Sequence, residues 1–489
     1  MSKATENILN TLIPIPKKLQ KSEGEFVITG IRTDVADFVE YTETFCTCAQ
    51  KIFDKKVVSA GEGNVILSCD PTMKKGSYVV DTTGDEAILS ACDGEGICYA
   101  MATLLGILTL DGDVPTVHKV RIEDAPDKDY RALMIDLARE WHPAHQVIRF
   151  IDVCFMLKVR YLHIHFIDTQ RYTLPSHAYP DITKNNRHYT FEDIESFRSY
   201  ANARGIVLVP EFEVPGHATA MIAAYPEVFG LKLSGNCEDA KIVTESGEVI
   251  NANGIVCAGS AECEKAIKTL LAEICEMFPE TPYIHIGGDE ANIKAWNYCS
   301  ECVKYMEEHN IADVKELYSE FTGRVAQAVL DLGKTPIVWE GFPKEGVHHI
   351  PKETIVIAWE SHYHMAYDLI AEGFRIINAS WQPLYIVNSY TLRWNSSHIY
   401  NWDVYNWQHW WSNSEATLHP IHLQPTDQVL GAQICSWQCT FDQEISEVVE
   451  NLSALSERTW NVSRVCPYGH FAGRMNSFLH RLFRFVQEF

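Results

Sequence analysis

The chain has 489 residues, enough for one large domain and a smaller companion, and its 46% hydrophobic and 22% charged residues are the balance of a globular protein, which excludes a disordered one. A formal net charge of -24 excludes nucleic acid as the expected partner, because phosphate backbones call for a basic footprint; neutral or cationic ligands fit better. The opening MSKATENILNTLIPIPKKLQ has no signal-peptide core and no later run is long enough to span a bilayer, so no membrane partner and a cytoplasmic location are expected.

Residues 1–125 mix short strand-like runs (GEFVITGI, NVILSC, GSYVVDTT, EAILSAC) with one helical run, GICYAMATLLGIL, and are expected to form a small α+β domain. HKVRIEDAPDKDY, with a proline and several acids, reads as the passage into the next unit. Eight apolar runs follow: 131–137, 160–166, 205–212, 282–288, 335–340, 354–359, 374–380 and 429–437. Most are separated by helical patterns such as FEDIESFRSYANAR and CEKAIKTLLAEICEMF. Apolar strands alternating with helices imply a parallel sheet covered on both faces, and eight of them point to an α/β (β/α)8 barrel, a TIM barrel, over residues 126–465. An open doubly wound sheet would carry a glycine-rich phosphate turn after an early strand, and none is present. Residues 466–489 read as a closing amphipathic helix packed on the barrel.

Active sites of such barrels lie at the carboxyl ends of the strands. His163, His165 and Asp168 end the second run; Glu211, Glu213 and His217 follow the third; Asp289 and Glu290 end the fourth. Trp339, Trp359 and Trp437 close the fifth, sixth and eighth, and Tyr385 follows the seventh. Three tryptophans at one end of the sheet supply the flat apolar walls on which sugar rings stack. Asp289 and Glu290 end a buried run behind two glycines; burying carboxylates is costly unless they are paired or one is neutral, so this pair is the candidate for acid/base chemistry. The glycines are expected to let a ligand approach the backbone. Adjacent strand residues point apart, so the two acids are not the facing pair of the usual retaining glycosidase.

Fifteen cysteines, odd in number and scattered, read as reduced thiols. Cys299-Ser-Glu-Cys302 has metal-like spacing but no second pair at matching spacing. His163 with His165, His348-His349 and His362-Tyr-His364 would carry the alternative of a metal-dependent hydrolase. No metal or organic cofactor is expected.

The segment HIGGDE resembles the signature of glycoside hydrolase family 20, the β-N-acetylhexosaminidases. RALMIDLAREWHP, YLHIHFIDTQRYTL, VPEFEVPGHATA, SWQPLYIV, GAQICSW and LSERTWN are similar to further motifs of that family, and the N-terminal unit is similar to the domain that precedes its barrel, so the likeness runs over nearly the whole chain. The resemblance implies exo-acting removal of terminal β-linked GlcNAc or GalNAc, with the substrate's own acetamido oxygen as nucleophile. It implies Glu290 as general acid and then base, Asp289 as orienter of the acetamido N–H, Tyr385 as holder of its oxygen, and Trp339, Trp359 and Trp437 as the wall around its methyl. Arg131 would hold sugar hydroxyls, while Asp168 and His217 would tune the acid. In those roles Glu290 should have a raised pKa and Asp289 should stay ionised. Cys439 and Val387 depart from polar residues common at those positions, which leaves a sugar-binding protein without turnover, or a member specific for a modified sugar or disaccharide unit, as alternatives. The insertion HIYNWDVYNWQHWW could supply replacement contacts through Asn401, Trp402 or Asp403, or serve as a surface flap or subunit contact.

Overall fold

The computed structural model describes residue 9 and residues 11–184, 186–233, 237–238, 241–244, 247–388, 393–463 and 466–486. Eight parallel strands close into a barrel: β1 (Tyr130–Asp136), β2 (Tyr161–His165), β3 (Val207–Val214), β4 (Tyr283–Gly287), β5 (Thr335–Trp339), β6 (Ile355–Ala358), β7 (Arg375–Asn378) and β8 (Val429–Trp437). Each pairs with its successor, and β8 pairs with both β7 and β1, which completes the ring. The strands are apolar because both faces are covered: β1 is buried at all seven positions. The intervening helices start on side-chain caps, among them Thr190 with Asp193, Ser260 with the Cys263 N–H, and Asp313 with the Lys315 and Glu316 N–H groups.

The barrel interior is layered. At the amino ends Tyr130 stacks on Tyr161 with ring centroids 4.6 Å apart, and Tyr283 meets both. Above them lies a polar layer of His163, Glu211 and His285, and above that the tryptophans. The core is therefore filled below the mouth, as such barrels require.

Ahead of the barrel lies a seven-stranded sheet with helices Val39–Phe53 and Gly94–Ile107. Its longest strand, Val114–Asp124, pairs with Lys18–Val27 on one side and Tyr78–Asp81 on the other. This corrects the reading of residues 118–124 as a passage between units: Val120 and Ile122 alternate inward while Arg121 and Glu123 stay on the outer face, so the charges mark a half-exposed strand. Asp124 itself accepts hydrogen bonds from Tyr78 Oη and, across to the barrel's last helix, Trp460 Nε1.

The closing helix, Tyr468–Val486, touches both units. Arg474 pairs with the buried Glu457 of the barrel helix Phe441–Trp460, and the Arg481 guanidinium caps the end of Gly94–Ile107 through the carbonyls of Leu105 and Leu108. Among the described residues no helix is long and apolar enough to cross a membrane.

Candidate active site

A pocket of about 240 Å³ opens at the carboxyl ends of the strands. Asp289, Glu290, Tyr385, Trp339, Trp359 and Trp437 all line it. Arg139, Trp381, Val387 and Gln438 complete the lining.

The acid pair leaves β4 through Gly287 (φ 68°) and Gly288 (φ 93°), conformations that residues with a Cβ seldom adopt. A Cβ on Gly287 would meet the Glu213 carboxylate at 2.1 Å, and one on Gly288 would meet Val338 Cγ2 at 2.5 Å. The glycines thus admit the neighbouring strands, not a ligand as expected from sequence. Gly288 N–H donates to Glu213, Tyr318 Oη donates to the Gly288 carbonyl at 2.8 Å, and Glu290 itself sits at φ 46°. This bend turns the Asp289 side chain inward, 13% exposed, and leaves that of Glu290 57% exposed at the mouth.

Trp359 and Trp381 both stack on Tyr385, at 5.9 and 4.3 Å between centroids, and Trp339 lies 6.1 Å from Trp437 and 6.4 Å from Trp359. The Trp339 Nε1–H donates to Glu211 and that of Trp359 to the Glu340 carbonyl, which fixes both rings. Burial pushes the Tyr385 phenol well above its ordinary range, so it remains a hydrogen-bond donor.

Asp168 and His217 stand behind this wall and do not line the pocket. Asp168 lies 3.3 Å from His217 Nδ1 and 2.7 Å from Arg139 Nη2. His217 Nε2 in turn lies 3.4 Å from Glu290 and 3.9 Å from Asp289. Although burial opposes it, hydrogen bonds from His165 and His217 hold the Asp168 carboxyl well below its usual range. His217 is raised despite its own burial by the carboxylates of Asp168 and Glu290, at 3.3 and 3.4 Å, and by Asp289, and stays cationic.

That cation reverses the expected order of the two acids. Glu290 is lowered, chiefly by the His217 imidazolium 3.4 Å away, whereas desolvation pushes Asp289 up to about 6. Asp289 Oδ1 is buried with no hydrogen-bond partner among the described residues. Glu360, directly after Trp359, is pushed up to about 8 by burial and then by Glu340, Glu290 and Asp289, so it adds little negative charge near neutrality.

Arg131 does not reach the pocket. It opens β1 at the opposite end of the barrel, fully buried, donating to the carbonyls of Lys158, Lys128 and Asp129 and to Tyr99 Oη, with its guanidinium over Trp460. Arg139 occupies the mouth instead: Asp136 at the end of β1 accepts the N–H groups of Ala138 and Arg139, and the turn lays the guanidinium 4.7 Å over the Trp437 ring. The rule that site groups follow the strand ends already favoured Arg139 over Arg131, and the same motif contains both. Arg131→Met should lower stability by about 1–3 kcal/mol by orphaning buried carbonyls, with KM unchanged. Arg139→Ala should lower kcat/KM about 10- to 150-fold through a lost charged hydrogen bond, and should also lower the melting temperature, because it leaves the buried Asp168 without its 2.7 Å partner; KM moves in this variant only. Thermal melts beside steady-state kinetics separate the two.

The insertion does not contribute Asn401, Trp402 or Asp403 to the pocket. Trp402 Nε1 donates to the Asn406 carbonyl and Asp403 accepts Tyr405 N–H, while Trp407 is bonded to the Ala358 carbonyl. Its effect is indirect, since His409 and Trp410 pack around Trp381 at 5.5 and 5.8 Å. Cys439 is buried with its thiol on the Trp437 carbonyl and is not a lining residue, so Gln438 is the polar group on that side.

Of the β2 histidines, His163 gathers with Glu211 and His285 within 4.8 Å of one another, while His165 bridges Glu211 and Asp168. Glu211 lies 2.5 Å from His165, 3.0 Å from His285 and 3.2 Å from His163, and accepts Trp339 Nε1–H at 2.6 Å, beneath the pocket. His348 and His349 gather with Glu316 at an exposed position away from the lining residues.

Residues 129–463 match the model of the glycosyl hydrolase family 20 catalytic domain, and residues 10–125 match domain 2 of the same family. The chain belongs to glycosyl hydrolase family 20. A β-hexosaminidase of Vibrio furnissii is 27% identical over 411 residues, covering 78% of this chain and 65% of its own. One from Akkermansia muciniphila is 31% identical over 305 residues, 59% of each chain. The chain thus spans about two thirds or less of those relatives. In fold it is similar to the family 20 exo-β-N-acetylglucosaminidase of Vibrio harveyi solved with N-acetylglucosamine, at a TM-score of 0.82 and 22% identity over 97% of this chain and 77% of that one. The Bacteroides fragilis β-N-acetylhexosaminidase gives 0.79 and 22% over 95% and 94%.

Proposed function

We propose that this family 20 protein is an exo-acting β-N-acetylhexosaminidase that removes terminal GlcNAc or GalNAc with retention. The observation that carries the reading is Asp289 Oδ1, a buried carboxylate oxygen without a partner, in an aromatic pocket beside the protonated Tyr385. An amide N–H is the donor that oxygen lacks, and a phenol is the donor that an amide oxygen accepts. An acetamido group supplies both, with its methyl against Trp339, Trp359 and Trp437.

In this reading the acetamido oxygen attacks C1 as the glycosidic C–O bond breaks and Glu290 delivers a proton to the departing oxygen. Asp289 faces the positive charge that develops on the acetamido nitrogen. Water then adds to C1, Glu290 takes its proton, and the five-membered ring reopens with net retention. Arg139 and Gln438 hold the outer hydroxyls, and Asp168 and His217 position Glu290. A pocket of about 240 Å³, below the ~300–1,000 Å³ range of drug-sized ligand sites, favours one terminal sugar over an internal stretch of polymer. The fourteen described cysteines, all free, favour a reducing compartment and thus the cytoplasm.

The protonation order of the free site fits this sequence of events. An acetamido N–H on Asp289 stabilises its ionised form, so the single proton shared by the pair moves to Glu290 on binding. The active free enzyme therefore carries one proton on the pair. Rising pH removes it as Asp289 titrates near 6, and falling pH adds a second one to Glu290 below its ordinary value. The plot of kcat/KM against pH should be a bell confined to the acidic side, descending above pH about 6; a flat profile to pH 9 would refute the coupled pair.

The reading is tested with nitrophenyl β-GlcNAc and β-GalNAc against the β-glucoside. Turnover of the acetamido sugars alone supports it, and equal cleavage of the glucoside overturns it. Val387 on the pocket rim and the buried Cys439, at positions where the resemblance implies polar residues, favour a second reading in which the sugar is modified at its outer hydroxyls; faster turnover of a 6-substituted GlcNAc would select it.

A further inference from the structure

We propose that Cys257, Cys299 and Cys302 form a structural zinc site, separate from the sugar pocket. The three are buried, and their sulfurs all lie within 4.8 Å of one another, with Cys257 Sγ at 3.5 Å from Cys299 and 3.8 Å from Cys302. Zinc held by thiolates at about 2.3 Å in a tetrahedron sets neighbouring sulfurs about 3.8 Å apart, whereas a disulfide needs about 2.05 Å. The spacing is that of three ligands around a common centre.

The backbone is built to bring them there. Cys299 caps the helix Ser300–His309, so Cys299-Ser-Glu-Cys302 forms a turn with both thiols on one side, and its sulfur accepts the Lys232 N–H at 3.4 Å. Such N–H donors stabilise a thiolate. Cys257 arrives from the loop between β3 and the helix Ala261–Met277. It can approach because residue 259 is glycine: a Cβ there would meet the Glu301 carbonyl oxygen at 2.3 Å and Cys302 Cα at 2.7 Å. The loop is tied down by Cys257 N–H to the Phe229 carbonyl and by Ser300 N–H to the Lys232 carbonyl, both at 2.9 Å. Glu301 Oε2, 3.7 Å from Cys257 Sγ, borders the remaining tetrahedral position.

Zinc prefers soft thiolates, and the three sulfurs are buried and shared with no residue that lines the sugar pocket, so the role is structural. The ion would pin the loop that follows β3, which carries His217, to the segment that follows the Asp289-Glu290 bend. The sequence reading set the Cys299–Cys302 pair aside for want of a second pair; the third cysteine lies 42 residues upstream and is adjacent only in the fold.

Elemental analysis of protein purified without chelator is expected to find about one zinc per chain, with X-ray absorption placing at least three sulfurs at about 2.3 Å. Cys302→Ser and Cys257→Ser should lose most of it, the exposed Cys69→Ser should keep it, and mercurial titration of the wild type should release it into a colorimetric chelator. Wild-type protein free of zinc that also fails to take it up from a buffered zinc solution after reduction overturns the proposal. So does a Cys257–Cys299 disulfide recovered under non-reducing digestion, or an absorption spectrum with only nitrogen and oxygen neighbours. The wild-type measurements stand even where a serine variant fails to fold, and none of them depends on the proposed glycosidase activity.

Discussion

Asp289→Asn is expected to lower kcat on an aryl β-N-acetylhexosaminide by about 10²–10³-fold, the scale on which a preorganised charge at the reacting centre acts. Asparagine has nearly the same shape, so the pocket persists, and its amide oxygen can still accept the acetamido N–H. What is lost is the negative charge that faces the forming cation, which matters more in the transition state than in the bound ground state. KM should therefore change less than kcat. The variant should not melt earlier. Asp289 is raised to about 6 by desolvation, so above that pH its ionised form costs the native state energy that a neutral side chain does not. The contribution has the sign of a destabilisation that is present at neutral pH and relieved on acidification. A variant within about threefold of wild-type kcat would remove Asp289 from the reaction centre.

Glu290→Gln is expected to have an effect that depends on the leaving group. A proton donor contributes about 10²–10⁴-fold where the departing oxygen needs protonation, as in a disaccharide or an alkyl glycoside. Nitrophenolate leaves without it, so the loss on the activated aryl substrate should be smaller for cleavage, with slowing of the water step remaining. With no Glu290 carboxyl to receive it, the proton that Asp289 loses near pH 6 is no longer needed for the acid step, so the basic limb of kcat/KM should vanish. Equal losses on activated and unactivated substrates would mean that Glu290 supports the site without transferring a proton.

The eight barrel strands were legible because each is buried on both faces, which writes an unbroken apolar run into the chain. The strand Val114–Asp124 was not, since one of its faces is charged and the charges resembled a connection. Asp289, Glu290, Tyr385 and the three tryptophans were legible as a group because all follow strand ends, and parallel strands bring those ends to one face. Arg131 was misplaced because a motif names residues without saying which end of the strand each occupies; Arg139, beyond the end of β1, was available by the same rule. Trp381 and Gln438 left no periodic signal, being set by local turns.

By itself the sequence determined the alternation of strands and helices, the aromatic and acidic content of the strand ends, and the order in which they are presented, because these follow from burial pattern and chain direction. Tertiary structure decided what depends on residues distant in the chain. His217, arriving from the loop after β3, lowers Glu290, while burial raises Asp289 beside it. Glu213 and Val338, from β3 and β5, impose the glycines at 287 and 288. The loop carrying Cys257 reaches the Cys299–Cys302 turn only by passing over Gly259. In each case the deciding interaction falls off within a few ångströms, and only the fold brings its partners that close.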